Sequence, residues 1–572
     1  MTEVLLLLIP GTPLLLLPAL LHPATAGPAI RLAPLTLLPG LLAAATGTID
    51  ATDLPWLFFG SSLGLNATGR TFLLLAGGLW LAAALFSQGY LQGDPRKQRY
   101  WIFFLLTACG NLGLIIARDL ISFYVFFSLM SFAAYGLIVH DDSDFARRAG
   151  RVYLALVMLG EVLLFAALAL IAAAGDSLLL ADVARTVAGA ERQNLIIGLL
   201  LAAFGIKAGI VPLHIWLPLA HPAAPVPASA VLSGTMIKAG LLGLLQCLPL
   251  GLTALVGWSQ AILGVGLFMA FYGVLFGLLQ DRAKAVLAYS SISQMGFPLI
   301  AIAIGLGDPG NWPQLLPVIS FFCLHHGLAK GALFLGTGMA SGAPPRHPQK
   351  WLIGAGLLLP ALALAGAPLT SGALAKSGLK AFVADNLLLP DGWLLLLLSL
   401  AAVGTTLLMI RFFLCLLAAP DPEHAPSPCM WLGWLLPLGA VLAAGWQGLP
   451  RGLTLTAEGL SRHPMDHLWP LSVGILLGAG AWYLSRTFAV TVYLPPGDLL
   501  IPCEQGLRHL RPRARRLRRP RLPRRLQLGA PFAMQNLPLL LALRHGELTL
   551  RRLPVAGVLY LLLLLLLLLA GH

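Results

Sequence analysis

Residues 207–238 read KAGIVPLHIWLPLAHPAAPVPASAVLSGTMIK, a stretch that begins and ends on lysine, holds two histidines and five prolines, and is otherwise almost wholly apolar. Proline lacks a backbone donor and clashes with the preceding turn, so Pro212 and Pro218 break a helix entering from Lys207. In lipid, each backbone group freed this way must find a partner inside the protein or in trapped water. A break at bilayer depth therefore implies a polar, hydrated interior. A lysine beside it can take up and release protons. His214 and His221 flank IWLP. Two histidines seven residues apart are not a metal site by themselves. They fit either a histidine that steadies the broken backbone or a relay through neutral imidazole.

The surrounding composition sets the class. The 572 residues are 58% hydrophobic and only 10% charged, against about 25% charged in soluble domains. The apolar runs are long enough for helices rather than barrel strands, so an all-α polytopic membrane protein is expected. The net charge of +14 does not indicate nucleic acid, because the basic residues lie between apolar spans and near the C-terminus. Six scattered cysteines without a C-x-x-C pair argue against zinc or an iron–sulfur cluster. No nucleotide-binding motif occurs. No cofactor or metal is expected, and no redox chemistry within the chain.

Sixteen candidate spans can be counted. They divide into N-terminal helices with a short external hairpin (1–99), a first group (100–249), a second group (256–419), two further helices (430–492), a basic loop (493–553) and a terminal helix (554–572). The opening apolar run ends in Ala24-Thr25-Ala26 but lacks a positive leader, so it is read as a retained helix rather than a signal. The stretch from Leu54 to Gly69 reads as short strands around a Gly-Ser turn. Lysine and arginine concentrate in alternate loops, at Arg96, Lys97 and Arg99, then Arg147, Arg148 and Arg151, then Arg282 and Lys284. That bias puts these loops in the cytoplasm and both termini outside it, in the plasma (inner) membrane. The tract Arg508–Arg525 carries ten arginines in eighteen residues and reads as a loop binding anionic lipid headgroups.

The two groups show a similar order of features. The fourth span of the first (195–217) carries Lys207 before Pro212. The fourth span of the second (352–382) carries Lys376 after Pro368 and Gly372. Paired interrupted helices point to an ion pathway at a repeat interface. The ionisable residues within spans are Glu161, Lys207, Lys238, His325, His326, Lys330, Lys376, Lys380 and Arg411. Each charge costs about 2.5–3.5 kcal/mol at bilayer depth on insertion scales, so this many implies use. Lys284 reads as interfacial.

These stretches resemble the antiporter-like subunits of respiratory complex I, with component B of hydrogenase-4 and formate hydrogenlyase and the large subunits of Mrp cation/proton antiporters. The likeness rests on KAGIVPLHIWLPLAHPAAP, SGTMIKAG, DRAKAVLAYSSISQMGF, HHGLAKGALFLGTG and PLTSGALAKSGL, and covers roughly residues 50–420. It implies a fold of fourteen core helices with two inverted five-helix repeats and broken helices seven and twelve, here with about two extra C-terminal helices. It also implies roles: Lys207 as the central proton carrier, Lys238 as the next relay, His326 and Lys330 on helix eleven, and Lys376 at the exit side.

Two positions depart from the family pattern. Ser128 stands where the family has a glutamate paired with the helix-seven lysine, and Phe322 stands where it has the first helix-eleven histidine, with His325 nearest. Glu161, in VMLGEVLLF, is the one acid at a helix centre in the first group and is expected to replace the missing partner of Lys207. The function expected is a proton-translocating subunit of a redox-driven complex, itself without redox chemistry, partnered by other membrane and peripheral subunits. Rival readings are a Mrp-like cation/proton antiporter or proton-driven inorganic-carbon uptake subunit, carrying protons or sodium, and a non-conducting structural subunit.

Overall fold

Leucine- and alanine-rich runs favour helix, and in lipid a helix satisfies its backbone within one segment. The computed structural model is accordingly helical almost throughout residues 2–58, 60–340, 348–383, 392–418, 425–447 and 465–488, which with isolated positions 494 and 500 are the residues described. The chain falls into two units. One holds Met1–Leu54 and Gly60–Pro496; the other, Pro55–Phe59 and Gly497–His572, lies almost wholly outside the described residues. The arginine tract, most of the basic loop and the helix expected from sequence at 554–572 lie outside the described residues.

In the first unit α1 (Thr2–Leu21) is followed by a span in three pieces, α2 (Pro23–Leu32), a 3-10 turn and α3 (Leu38–Thr46). Pro28 lies within α2, and Pro34 and Pro39 start the two pieces after it, which is why one continuous helix does not form. Strands β1 (Ile49–Leu54) and β2 (Ser61–Leu65) pair antiparallel, Leu54 opposite Ser61. The first strand thus lies upstream of the stretch expected from sequence, on a segment anchored by buried Ile49. Then come α4 (Ala67–Tyr90), α5 (Lys97–Ile116), α6 (Leu120–Ile138) and α7 (Asp144–Ala174). Asp119 ties two of these parts together. Its Oδ1 accepts from Ser122 N at 2.7 Å as the N-cap of α6, and its Oδ2 accepts from Ser62 N in β2 at 2.8 Å.

A short amphipathic helix not anticipated from the sequence, α8 (Leu180–Gly189), leads to the broken span formed by α9 (Gln193–Ala208) and α10 (Trp216–Ala223). Next are α11 (Val226–Val231), a π turn at Leu232–Met236 and α12 (Ile237–Cys247). The second group comprises α13 (Val256–Leu278), α14 (Ala283–Gly307), α15 (Trp312–Ala340), a second broken span made of α16 (Pro348–Ala365) and α17 (Ser371–Val383), and α18 (Trp393–Leu417). Helices α19 (Pro428–Gln447) and α20 (Met465–Phe488) follow. Among the described residues, twelve helical segments are long and apolar enough to cross a membrane.

Burial is uneven, and the pattern locates the site. The segment Val226–Cys247, α14 and α15 are almost entirely enclosed by other helices, whereas α7, α13 and α19 keep wide exposed faces. Small residues let the enclosed helices approach closely. A Cβ on Gly327 of α15 would lie 2.6 Å from the Gly234 carbonyl in the π turn. The most buried helices are those that carry lysine and histidine.

Candidate functional site

At the first break, α9 ends one residue after Lys207. Gly209 takes the left-handed conformation (φ 74°), Ile210 N donates to Gly205 O at 2.8 Å and Gly209 N to Ile206 O at 3.4 Å. This is a Schellman closure, which satisfies carbonyls that the end of the helix would leave orphaned. Trp216, the first residue of α10, donates its Nε1–H back to Ile206 O at 2.7 Å and so bridges the gap. The chain from Ile210 to Ile215, with Pro212, is non-helical. Pro218 sits in the first turn of α10, where its missing N–H breaks no intrahelical bond; the break lies N-terminal to it.

Lys207 lies 3% exposed at the negative end of the α9 dipole. Its Nζ donates to Tyr153 Oη at 3.4 Å and faces the rings of Phe127 and Tyr153 at 5.5 and 5.6 Å. Tyr153 in turn donates to Ser131 O at 2.8 Å. On α7, two turns beyond Tyr153, buried Glu161 accepts a hydrogen bond from Ser128 Oγ on α6 at 2.5 Å. The charges of Glu161 and Lys207 act on each other.

Lys238 opens α12 just after the π turn and donates to Ser233 O, within that turn, at 2.6 Å. A π turn exposes a carbonyl off the regular ladder, and the ammonium occupies it. Ser233 Oγ and Ser291 Oγ of α14 are 2.9 Å apart. One turn on, Lys330 of α15 donates to Leu287 O at 2.8 Å and to Ser290 Oγ. The charges of Lys238, Lys330 and Lys376 all bear on buried His326 between them. Neighbouring His325 bonds through Nδ1 to Ser371 Oγ at 2.8 Å.

Ser371 is the first residue of α17, beyond the second break at 366–370. Pro368 lies inside that break, whereas Gly372 lies in the first turn of α17 and serves packing. A Cβ there would stand 1.7 Å from Ala363 O and 2.9 Å from His325 Nε2. Lys376 turns back from α17 to donate to Leu364 O at 2.8 Å and Ala365 O at 3.2 Å, the last carbonyls of α16, with the Phe297 ring 5.6 Å away. In both broken spans, then, a lysine sits at the C-terminal end of the leading half-helix. A hydrogen bond to a charged group is worth about 1.5–3 kcal/mol, so the carbonyls and hydroxyls around Lys238, Lys330 and Lys376 roughly offset what each ammonium loses on leaving water.

The other sequence-selected residues sit around this row. His214 packs edge-on to Tyr272 at 5.0 Å, and His221 stacks on Phe334 at 4.7 Å. Arg411 donates its Nε–H to Gln280 O at 2.9 Å, securing the turn after α13. Lys380 donates to Ser399 Oγ at 2.9 Å. Several partners were not legible in the sequence: Tyr153, Ser233, Ser290, Ser291, Ser371, and the Ser377 Oγ–His467 Nε2 contact at 2.9 Å that joins α17 to α20. Hydroxyls in apolar helices give no pattern of their own; only adjacency to a charged residue could have singled them out.

These elements define a class: a multi-pass all-α membrane protein with paired broken helices and an enclosed row of lysines and histidines. The chain belongs to the NADH:quinone oxidoreductase/Mrp antiporter transmembrane family, whose profile matches residues 117–410. It is 30% identical over 295 residues to hydrogenase-4 component B of Escherichia coli, across 50% of this chain and 44% of that protein. It is 31% identical over 349 residues to Na(+)/H(+) antiporter subunit A1 of Staphylococcus haemolyticus, across 56% of this chain and 43% of that protein. The alignments thus span less than half the length of these curated relatives. Two solved structures share the fold. One is the Mrp complex from Dietzia sp., with TM-score 0.69 and 20% identity, covering 96% of this chain and 63% of that one. The other is an archaeal membrane-bound sulfane sulfur reductase, with TM-score 0.66 and 21% identity, covering 86% of both chains.

Proposed function

We propose that this chain is the proton-translocating membrane subunit of a larger energy-converting complex. The observation that carries the reading is the enclosed row Glu161, Lys207, Lys238, His326 with Lys330, and Lys376, strung between two broken helices. Apart from Lys207, these lysines are held by neutral carbonyls and hydroxyls rather than by carboxylates, so an ammonium there can give up its proton without leaving a buried anion unpaired. Protons pass from the cytoplasmic face along the row and leave near Lys376. The groups titrate as a coupled chain, Glu161 serves Lys207 as the family's missing glutamate would, and the two five-helix groups act as the two repeats. Driving energy comes from partner subunits.

The test is proton uptake by inverted membrane vesicles holding the full complex. Lys207→Ala abolishes uptake if the reading is right, and normal uptake in that variant sinks it. A second reading, sodium/proton exchange, is favoured by the likeness to antiporter subunit A1. Sodium-dependent proton release, with small antiporter subunits co-purifying in place of hydrogenase or quinone-reductase partners, decides for it.

A further inference from the structure

A polar cavity of about 270 Å3 opens where the loop after α4, the end of α6, the end of α10 and the start of α14 meet, and it lies outside the row described above. Asp94, His140, Asp141, Tyr90 and Lys284 line it. These are the segments that carry Arg96, Arg99 and Arg282, the face assigned to the cytoplasm by the lysine and arginine bias. His140 is fully buried. Its Nε2 lies 2.9 Å from Asp94 Oδ2, and its Nδ1 has no protein partner among the described residues. Asp94 is positioned by Arg96 N, which donates to Oδ1 at 2.6 Å, and His140 by Arg99 Nη2, which donates to its carbonyl at 2.6 Å. Tyr100 meets the His140 ring edge-on at 5.4 Å.

The cavity lining includes Ala224 and Pro225, the residues that follow α10. Lys284 donates to Ala224 O at 2.6 Å, the carbonyl immediately after α10. In the last turn of α10 is His221, fully buried, with neither ring nitrogen partnered by protein among the described residues. The charges of Lys284, Lys330 and Lys238 all bear on it. A titratable series therefore runs from the cavity to the central row through a half-helix that the Pro212 break sets apart.

We propose that this cavity is the proton-loading vestibule of the chain: the Asp94–His140 pair takes a proton from bulk water, and Lys284 hands it to His221. The carboxylate fixes Nε2–H as a donor, leaving the Nδ1 lone pair to form the new N–H bond. That proton transfers to the Lys284 amine, and an N–H bond of Lys284 breaks as His221 accepts it. His221 in turn loses a proton to a deprotonated lysine of the central row, Lys238 or Lys330, so that His140, Lys284 and His221 each return to their starting state and the proton is left on the row. Burial draws His140 below its usual range against the opposing pull of Asp94, with Arg99 adding to the lowering and Asp141 opposing it, so the resting ring is neutral and able to accept. A cation site is the poorer fit, since no group of three or more His, Cys, Asp or Glu able to hold a metal ion occurs among the described residues.

The proposal rests on the proton-translocation reading, and its test separates the two. In vesicles holding the full complex, Asp94→Asn/His140→Gln lowers proton uptake about tenfold, less than the roughly hundredfold a positioned acid–base group contributes, because cavity water conducts in part. Imidazole added on the cavity side restores it, which a merely structural defect would not allow. Uptake lost in Lys207→Ala but unchanged in the double variant overturns the vestibule alone, as does a loss that imidazole fails to rescue. Uptake that survives Lys207→Ala overturns both.

Discussion

The Ser128 hydroxyl donates to the Glu161 carboxylate at 2.5 Å, so the serine that stands where the resemblance leads one to expect a glutamate touches the acid one helix later. The charges of Glu161 and Lys207 act on each other, and an acid at position 128 would lie against position 161. Removing the charge by Glu161→Gln leaves Lys207 without its counter-charge, and proton uptake falls as far as in Lys207→Ala. Ser128→Ala costs about 1 kcal/mol, one hydrogen bond, and leaves uptake within a few-fold of wild type. The reciprocal exchange Ser128→Glu/Glu161→Ser recovers much of the activity lost in Glu161→Gln. An exchange variant as inactive as Glu161→Gln, in protein of normal thermal stability, would show that the acid's exact seat on α7 is what matters.

Lys376 closes the end of α16 as well as lying in the row, and two substitutions separate these tasks. Arginine keeps the charge and several donors but is not deprotonated in proteins, so Lys376→Arg folds with a near-normal thermal midpoint and does not pass protons. Lys376→Met strands the Leu364 and Ala365 carbonyls, at about 1–3 kcal/mol for a buried unsatisfied group, and lowers both. Vesicle uptake measured beside the thermal midpoint in detergent reads the two effects apart. Wild-type uptake in Lys376→Arg would remove Lys376 from the pathway.

Gly372 lets α17 start against the end of α16. An added methyl would overlap Ala363 O at 1.7 Å, and backbone cannot swing aside. Gly372→Ala therefore destabilises by about 3 kcal/mol, the upper end for overpacking, and displaces His325 from Ser371. Gly354 of α16 has nothing within 4 Å of where a Cβ would lie, so Gly354→Ala is neutral or stabilising by up to about 1 kcal/mol. Equal thermal midpoints for the two variants would contradict the close approach.

The broken helices were legible because proline acts locally: Pro212 and Pro368 each lie in a non-helical gap. Pro218 and Gly372 were harder to place, because a first-turn proline and a close-packed glycine leave the same mark in a sequence as a break does. Lysines in apolar spans announce themselves by cost. Their partners do not: Lys238 bonds a backbone carbonyl that only the π turn presents, and Lys376 one that only the second break frees. The amphipathic helix α8 was missed because ten residues of mixed polarity read as a loop. Asp94 and His140 went unselected because they lie in loops 46 positions apart, and only the pairing of helix ends brings them together.

That pair also makes stability depend on pH in a defined direction. Burial opposes the charged form of Asp94, but the hydrogen bonds from His140 and the Arg96 amide outweigh it and hold the carboxyl below its usual range. Burial likewise holds His140 below its usual range. In both cases the unfolded chain binds protons more readily than the folded one, so stability rises with pH. The His140 part is fully present above about 6.5 and the Asp94 part above about 3.9, their unperturbed values, and each is lost as pH falls through the lower folded value. The thermal midpoint of the solubilised protein should therefore drop as the buffer is taken from about pH 7 to about pH 4, and drop less in Asp94→Asn/His140→Gln. Parallel curves for the two proteins would mean that the pair is not held in the folded chain as described.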